Sequence, residues 1–87
     1  ALEVAGDSMV DAGILDGDLV VVESRSSARN GEMVVALVDG EAATLKRIEQ
    51  KPGEVLLHAE NPAYPPQRYA PERVAIQGVV VAQLRRY

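Results

Sequence analysis

Short runs of consecutive apolar residues, separated by turn residues, most limit the folds open to this chain. The clearest are residues 19–22 (Leu-Val-Val-Val), 34–38 (Val-Val-Ala-Leu-Val) and 79–82 (Val-Val-Val-Ala). Branched apolar side chains favour strands, and a strand that is apolar at consecutive positions is typically buried on both faces. The pattern predicts an all-β fold. In a small domain it implies a compact, barrel-like folded sheet, or strands covered by another subunit.

Turn signals divide the chain into six predicted strands. Asn30-Gly31 and Asp39-Gly40 are the clearest turns between apolar segments. Residues 61–71 hold four of the five prolines, so we expect an irregular excursion there. The predicted strands are residues 2–5, 19–23, 32–38, 42–49, 55–58 and 73–85, with a turn or a single helical turn at residues 6–9.

Length and composition set the broad class. Residues 1–87 suffice for one domain, and the chain has no cysteine to supply disulfides or thiolate ligands. A net charge of −4 argues against DNA binding by this domain alone. No apolar run approaches a membrane span and no signal peptide precedes the first strand, so we expect a cytoplasmic protein without a membrane partner. The start at Ala1, inside a predicted strand, suggests a piece of a longer chain.

Ser8 and Lys46 are the candidate catalytic residues. The chain has one histidine, His58, and no cysteine, so a serine nucleophile would need another base. Lysine serves as that base in the Ser-Lys variant of the catalytic triad. It must first lose its proton, and bringing its pKa from about 10.4 to near 7 corresponds to about 4 kcal/mol. Burial can supply such a shift, and Lys46 shares one strand face with Ala42, Thr44 and Ile48.

Plainer interpretations exist for the same residues. From spacing alone, Ser8 is favoured as a turn or N-cap serine, and Lys46 as a solvated strand lysine. His58 is expected at a strand end on the surface, and Met9 either in the core or at the lip of a cleft. A calcium site is disfavoured because the local aspartates lack the ligand register and the terminal glutamate of an EF-hand loop; these are Asp11, Asp16 and Asp18.

Five sequence elements, in this order and spacing, resemble one known family. They are Ser8-Met9-x-x-x-Gly13-Ile14-x-x-Gly17-Asp18, Asn30-Gly31-x-x-Val34-Val35-Ala36, Thr44-x-Lys46-Arg47, Glu60-Asn61-Pro62 and Ile76-x-Gly78. This set is similar to the C-terminal domains of LexA, the UmuD proteins and the self-cleaving phage repressors, and the similarity covers nearly the whole chain.

The resemblance implies a compact β-rich fold of the LexA and signal peptidase type, with Ser8 as nucleophile and Lys46 as buried general base. The backbone amides of Asp7 and Ser8 would form the oxyanion hole, and Met9 and Thr44 would support the cleft. The family cleaves an Ala-Gly or Cys-Gly bond in its own upstream segment when RecA filaments on single-stranded DNA activate it. It implies no metal or other cofactor, and DNA contact only through a separate N-terminal domain.

Other assignments stay open at this point. A LexA-type repressor is favoured over a UmuD-type polymerase accessory protein or a phage repressor. Type I signal peptidases share the Ser-Met and Lys-Arg elements, but they usually carry proline where this chain has Val10. A further alternative is a non-catalytic dimerisation module. In either case we expect a homodimer formed through the final strand, residues 74–84, along an exposed sheet edge.

Overall fold

The computed structural model describes residues 1–85, and its regular structure is almost entirely β. Within those residues there is no α-helix, and two short 3₁₀ turns, Val10–Ala12 and Pro71–Arg73, interrupt the strands. None of the described helices is long and apolar enough to cross a membrane. The strands are β1 (Leu2–Glu3), β2 (Leu19–Ser24), β3 (Met33–Val38), β4 (Thr44–Lys51), β5 (Glu54–His58), β6 (Gln67–Tyr69) and β7 (Val74–Leu84).

The seven strands form one antiparallel sheet in the order β1-β2-β7-β3-β4-β5-β6. The sheet curls into a half-barrel, which confirms the predicted all-β, barrel-like fold. The expectation that residues 61–71 are irregular is wrong at β6. This strand of three residues lies between prolines, and it is tolerated because an edge strand needs backbone donors on one side only.

Gly78 in β7 lies against β2 too closely for a side chain. Gly78 pairs with Ser24 of β2 and with Val35 of β3. A Cβ atom at Gly78 would lie 2.3 Å from Val22 Cγ1 and 2.6 Å from the Glu23 carbonyl oxygen. The register shifts near this point in the pairing of β7 with β2 and in its pairing with β3, as expected where a strongly twisted sheet bends. Only glycine fits at this point of the pairing between β7 and β2.

Two apolar clusters cover opposite faces of the sheet. Adjacent residues of β3 separate the faces, since Met33 packs against one cluster and Val34 belongs to the other. The first cluster contains Val34, Ala36, Ile48, Val55, Leu57 and Val79, and the second contains Val4, Met9, Ile14 and Val20.

Burial on both faces, predicted from the apolar runs, holds for the centre of the sheet and fails at one end. Val34, Val35 and Ala36 are buried, whereas Val21 is 37% and Val81 55% exposed. No described segment covers that face of β2 and of the C-terminal half of β7. The sequence also allowed a second subunit to cover such strands. For Val21 and Val81 this cover stays a prediction.

The final strand offers an edge along only half of its length. Residues 74–79 pair with β3, so this half of β7 is interior to the sheet, and the expectation of a free edge over residues 74–84 is wrong there. Residues 80–84 have a strand neighbour, β2, on one side only within the described chain. β3 begins at Met33 and is too short to reach them.

Candidate active site

Ser8 lies in a turn held from both ends. On the N-terminal side, Gly6 has φ +87°, a conformation that glycine adopts readily, and its N–H donates to Asp16 Oδ1 at 2.8 Å. On the C-terminal side, the fully buried Met9 anchors the chain in the second apolar cluster. The Ser8 side chain is therefore presented from a fixed backbone and is itself half-buried.

Lys46 reaches Ser8 because β4 extends past the end of β5. The last residue pair between these strands is Arg47 with His58, so residues 44–46 have no β5 neighbour, and the Ser8 turn lies in that gap. Lys46 Nζ lies 3.4 Å from Ser8 Oγ and donates a hydrogen bond of 2.8 Å to Thr44 Oγ1. Thr44 and Lys46 share a face because they are two residues apart in a strand.

The charge environment of Lys46 favours its neutral form. The side chain is half-buried, and desolvation lowers its pKa from the usual value of 10.5. No carboxylate pairs with it among residues 1–85. The neighbouring Arg47, on the opposite face of β4, donates to the Glu60 carboxylate and, at 2.9 Å, to the Gly31 carbonyl. Arg47 thus has a counter-charge, whereas Lys46 has none within the described residues.

Ser8 and Lys46 open onto one cleft of about 390 Å³. Its walls come from the β1–turn segment, the start of β4 and the segment before β6. They are formed by Ala5, Gly6, Asp7, Ser8, Thr44, Lys46, Tyr64, Pro65 and Gln67. A larger cavity of about 480 Å³ lies beside residues 79–83 of β7, and its lining includes neither Ser8 nor Lys46.

Residues 60–64, which follow β5, hold the Ser8 turn from outside. The Glu60 N–H donates to the Ser8 carbonyl at 2.8 Å, and the Glu60 carbonyl accepts from the Asp11 N–H at 2.7 Å. Asn61 Nδ2 donates to the Asp7 carbonyl at 2.8 Å, and Tyr64 OH donates to Asp7 Oδ1 at 2.6 Å. Carbonyl and side-chain acceptors of residues 7 and 8 are thereby occupied.

The backbone N–H groups of Asp7 and Ser8 differ from these occupied acceptors. Within the described chain, neither N–H donates a hydrogen bond to another protein group. Free, adjacent N–H groups beside a nucleophile are what an oxyanion hole requires. The assignment of Asp7 and Ser8 to that role stays a prediction.

The other residues singled out from the sequence fall outside the cleft, apart from Thr44. Met9 is buried in the core directly after Ser8 and does not line the cleft, and its support of the cleft stays a prediction. His58 Nε2 lies 2.8 Å from Glu49 Oε1, and His58 does not line the cleft. Asp18 is buried, and Arg85, the Leu15 N–H and Gln83 donate to its carboxylate, which lowers its pKa.

Sequence analysis gave no role to Asn61 or Tyr64. Asn61 entered only as part of the shared element Glu60-Asn61-Pro62, and Tyr64 belonged to none of the shared elements. Their contacts with Asp7 join residues more than 50 positions apart, which no local pattern predicts. The available signal was one conformationally restricted Asn-Pro step directly after a strand.

Comparison with known proteins identifies the family of this chain. A family model described as Peptidase S24-like matches residues 1–81. A LexA repressor from Ruegeria sp. (strain TM1040) is 55% identical over 87 residues, which cover 100% of this chain and 36% of that protein. The chain thus spans about a third of the length of this relative. Because the family model covers nearly all of the described residues, the chain belongs to the Peptidase S24-like family.

Proposed function

We propose that this domain is the self-cleaving protease of a LexA-type repressor, with a Ser8–Lys46 dyad that cuts an Ala-Gly or Cys-Gly bond in an upstream segment. One observation carries the proposal: a half-buried lysine, without a carboxylate partner among residues 1–85, places Nζ 3.4 Å from Ser8 Oγ. The similarity to a LexA repressor supports the same assignment.

The reaction begins when neutral Lys46 Nζ takes the proton of Ser8 Oγ. Oγ then bonds to the scissile carbonyl carbon, and the C=O electron pair moves to oxygen, where the N–H groups of Asp7 and Ser8 stabilise it. Collapse breaks the C–N bond, and the leaving amine takes the proton from Lys46. Water, deprotonated by Lys46, then hydrolyses the Ser8 ester. Thr44 Oγ1 orients Nζ by accepting its hydrogen bond.

The partners follow from the same proposal. A RecA filament on single-stranded DNA would activate cleavage in the cytoplasm, and DNA would be contacted through a separate N-terminal domain. This domain requires no metal or other cofactor for the Ser-Lys chemistry. The net charge of −4 supports the absence of direct DNA contact, because an acidic domain repels the phosphate backbone.

Dimerisation is proposed through the C-terminal half of β7. In the part of the chain that the structure describes, residues 80–84 have no strand neighbour on the β3 side, and the cavity of about 480 Å³ lies beside them. Val81 and Leu84 are 55% and 56% exposed, and Val21 of β2 extends this apolar surface. Pairing with the same strand of a second copy would satisfy backbone groups and bury these side chains around a two-fold axis.

Self-cleavage tests the dyad when the domain is joined to an upstream segment that carries an Ala-Gly bond. Ser8→Ala and Lys46→Ala should each abolish cleavage at alkaline pH. Gel electrophoresis and mass spectrometry of the fragments provide the measurement. Matched controls are Ser27→Ala and Lys51→Ala, both at exposed positions, and His58→Ala. Full cleavage by Lys46→Ala would refute the dyad, and an uncleaved wild type would favour the non-catalytic dimerisation module.

Sedimentation at micromolar concentration tests the dimer. Ala82→Glu places two like charges near the proposed axis and should give monomers. Ala75→Glu, an exposed substitution in the interior half of β7, should leave the dimer intact. Val80 is unsuitable because it packs against the second apolar cluster, and glutamate there would damage the core. A monomeric wild type, or an Ala82→Glu dimer, would place the interface elsewhere.

A further inference from the structure

Asn61 makes two kinds of hydrogen bond with different consequences. Its Oδ1 accepts from the Ala63 N–H at 2.9 Å, and its carbonyl accepts from the Tyr64 N–H at 3.0 Å. These two bonds close the local turn after β5. The Nδ2 bond of 2.8 Å to the Asp7 carbonyl is not needed for that turn, since it reaches a residue 54 positions away.

The Asp7 carbonyl belongs to the same peptide unit as the Ser8 N–H. That unit is planar and trans, because none of the described peptide bonds is cis. In a trans peptide the C=O and N–H bonds point in opposite directions. Fixing the Asp7 oxygen against Asn61 therefore directs the Ser8 N–H away from residues 60–64, and this N–H has no acceptor within residues 1–85.

The same residue is held a second time through its side chain. Tyr64 OH donates to Asp7 Oδ1 at 2.6 Å, and the Glu60 N–H holds the Ser8 carbonyl at 2.8 Å. The Asp7 carboxylate raises the pKa of Tyr64, so the hydroxyl keeps its proton at the alkaline pH that favours neutral Lys46. Three hydrogen bonds from residues 60–64 thus hold the Asp7 carbonyl, the Asp7 carboxylate and the Ser8 carbonyl, and the Val10 N–H also donates to the Asp7 carbonyl at 3.4 Å.

We propose that Asn61 is a positioning residue that fixes the Asp7–Ser8 peptide so that the Ser8 N–H faces the scissile carbonyl oxygen. Tyr64 supports this orientation through the Asp7 side chain. The inference rests on the proposed protease function, and it assigns the alignment of the oxyanion hole to residues outside the Ser8 turn. Preorganised donors lose most of their effect when they are free to rotate, because reorganisation then accompanies the reaction.

Asn61→Ser isolates the Nδ2 bond. Serine keeps a short side-chain oxygen for the Ala63 N–H, introduces no charge near Lys46, and is too short to replace the amide donor. The matched control is Asn30→Ser, because Asn30 also bonds through both side-chain atoms, to Gln50, but lies outside the cleft. Tyr64→Phe removes only the hydroxyl.

The plateau rate of self-cleavage at alkaline pH is the first measurement. Asn61→Ser should lower it about tenfold to a hundredfold, less than the 10²–10³ that follows complete loss of an oxyanion donor. The pH midpoint of the rate should not move, because the surroundings of Lys46 are unchanged. Tyr64→Phe should have a smaller effect, and Asn30→Ser none. An unchanged rate in Asn61→Ser, or a rate loss accompanied by a shifted midpoint, would overturn the proposal.

A second measurement does not depend on cleavage. The ¹⁵N and ¹H shifts of the Ser8 amide report on hydrogen bonding at the preceding carbonyl, so Asn61→Ser should move them while distant amides stay in place. An unmoved Ser8 amide would also overturn the inference. If the Ser8 amide shifts in Asn61→Ser as expected but the wild type never cleaves itself, the proposed function is refuted instead. The catalytic use of the fixed Asp7–Ser8 peptide is then refuted with it.

Discussion

Replacing Lys46 by methionine should reveal the cost of holding a charged lysine in the cleft. Methionine has a similar length and no charge, so it keeps the packing against β3 and removes the ionisable group. Desolvation lowers the pKa of Lys46 in the folded protein below the usual 10.5. Between the lowered value and 10.5, the unfolded chain holds a proton that the folded chain has released.

The sign and the slope follow from proton linkage. Stability rises with pH wherever the unfolded state binds more protons, so the free energy of unfolding of the wild type should rise through this window. One proton gives a slope of at most about 1.4 kcal/mol per pH unit. Below the lowered pKa both states are charged, the slope from Lys46 vanishes, and its destabilising effect is complete.

Urea unfolding at several pH values between 7 and 10.5 provides the measurement. The stability of Lys46→Met minus that of the wild type should fall as pH rises. Other groups cancel in this difference, including Tyr64, whose pKa is raised by Asp7 in both proteins. Lys51→Met is the control on the same strand, because this lysine is 52% exposed, pairs with Glu49 at 3.6 Å and does not line the cleft. A flat or rising difference for Lys46→Met would refute the reasoning.

Three shorter predictions concern activity and the sheet. Below the pKa of Lys46 the self-cleavage rate should rise tenfold per pH unit and then level off, because only neutral lysine accepts the proton; a pH-independent rate would contradict this. Gly78→Ala should lower the free energy of unfolding in urea by about 1–3 kcal/mol, since its Cβ would lie 2.6 Å from the Glu23 carbonyl oxygen; an unchanged value would contradict the contact. Asp18→Asn should lower the urea midpoint at neutral pH by weakening the pairing with Arg85, and the difference from the wild type should shrink as pH falls below 3.8. A difference that persists in acid would contradict the ionic origin.

The sequence predicted the strands well where apolar patterning and turn residues act together. β2, β3 and β5 fall within a residue or so of their predicted ranges, and β3 is delimited on both sides, by Asn30-Gly31 and Asp39-Gly40. β6 was missed because prolines on both sides mask a strand that needs only one partner. The exposed faces of Val21 and Val81 were missed because alternation cannot reveal which face another segment covers.

The proximity of Ser8 and Lys46 depends on where β5 ends, which the spacing of the two residues along the chain does not reveal. β5 ends opposite Arg47, and this leaves residues 44–46 open on the side where the Ser8 turn enters. Had β5 continued by two residues, its backbone would pair with residues 45 and 46 and close this edge of β4. Instead the Glu60 N–H and carbonyl bond to Ser8 and Asp11, so the chain leaves β4 after His58. Asn61 follows directly and donates to the Asp7 carbonyl, so the segment that leaves this edge of β4 open also contacts the Ser8 turn, as the proposed role of Asn61 requires.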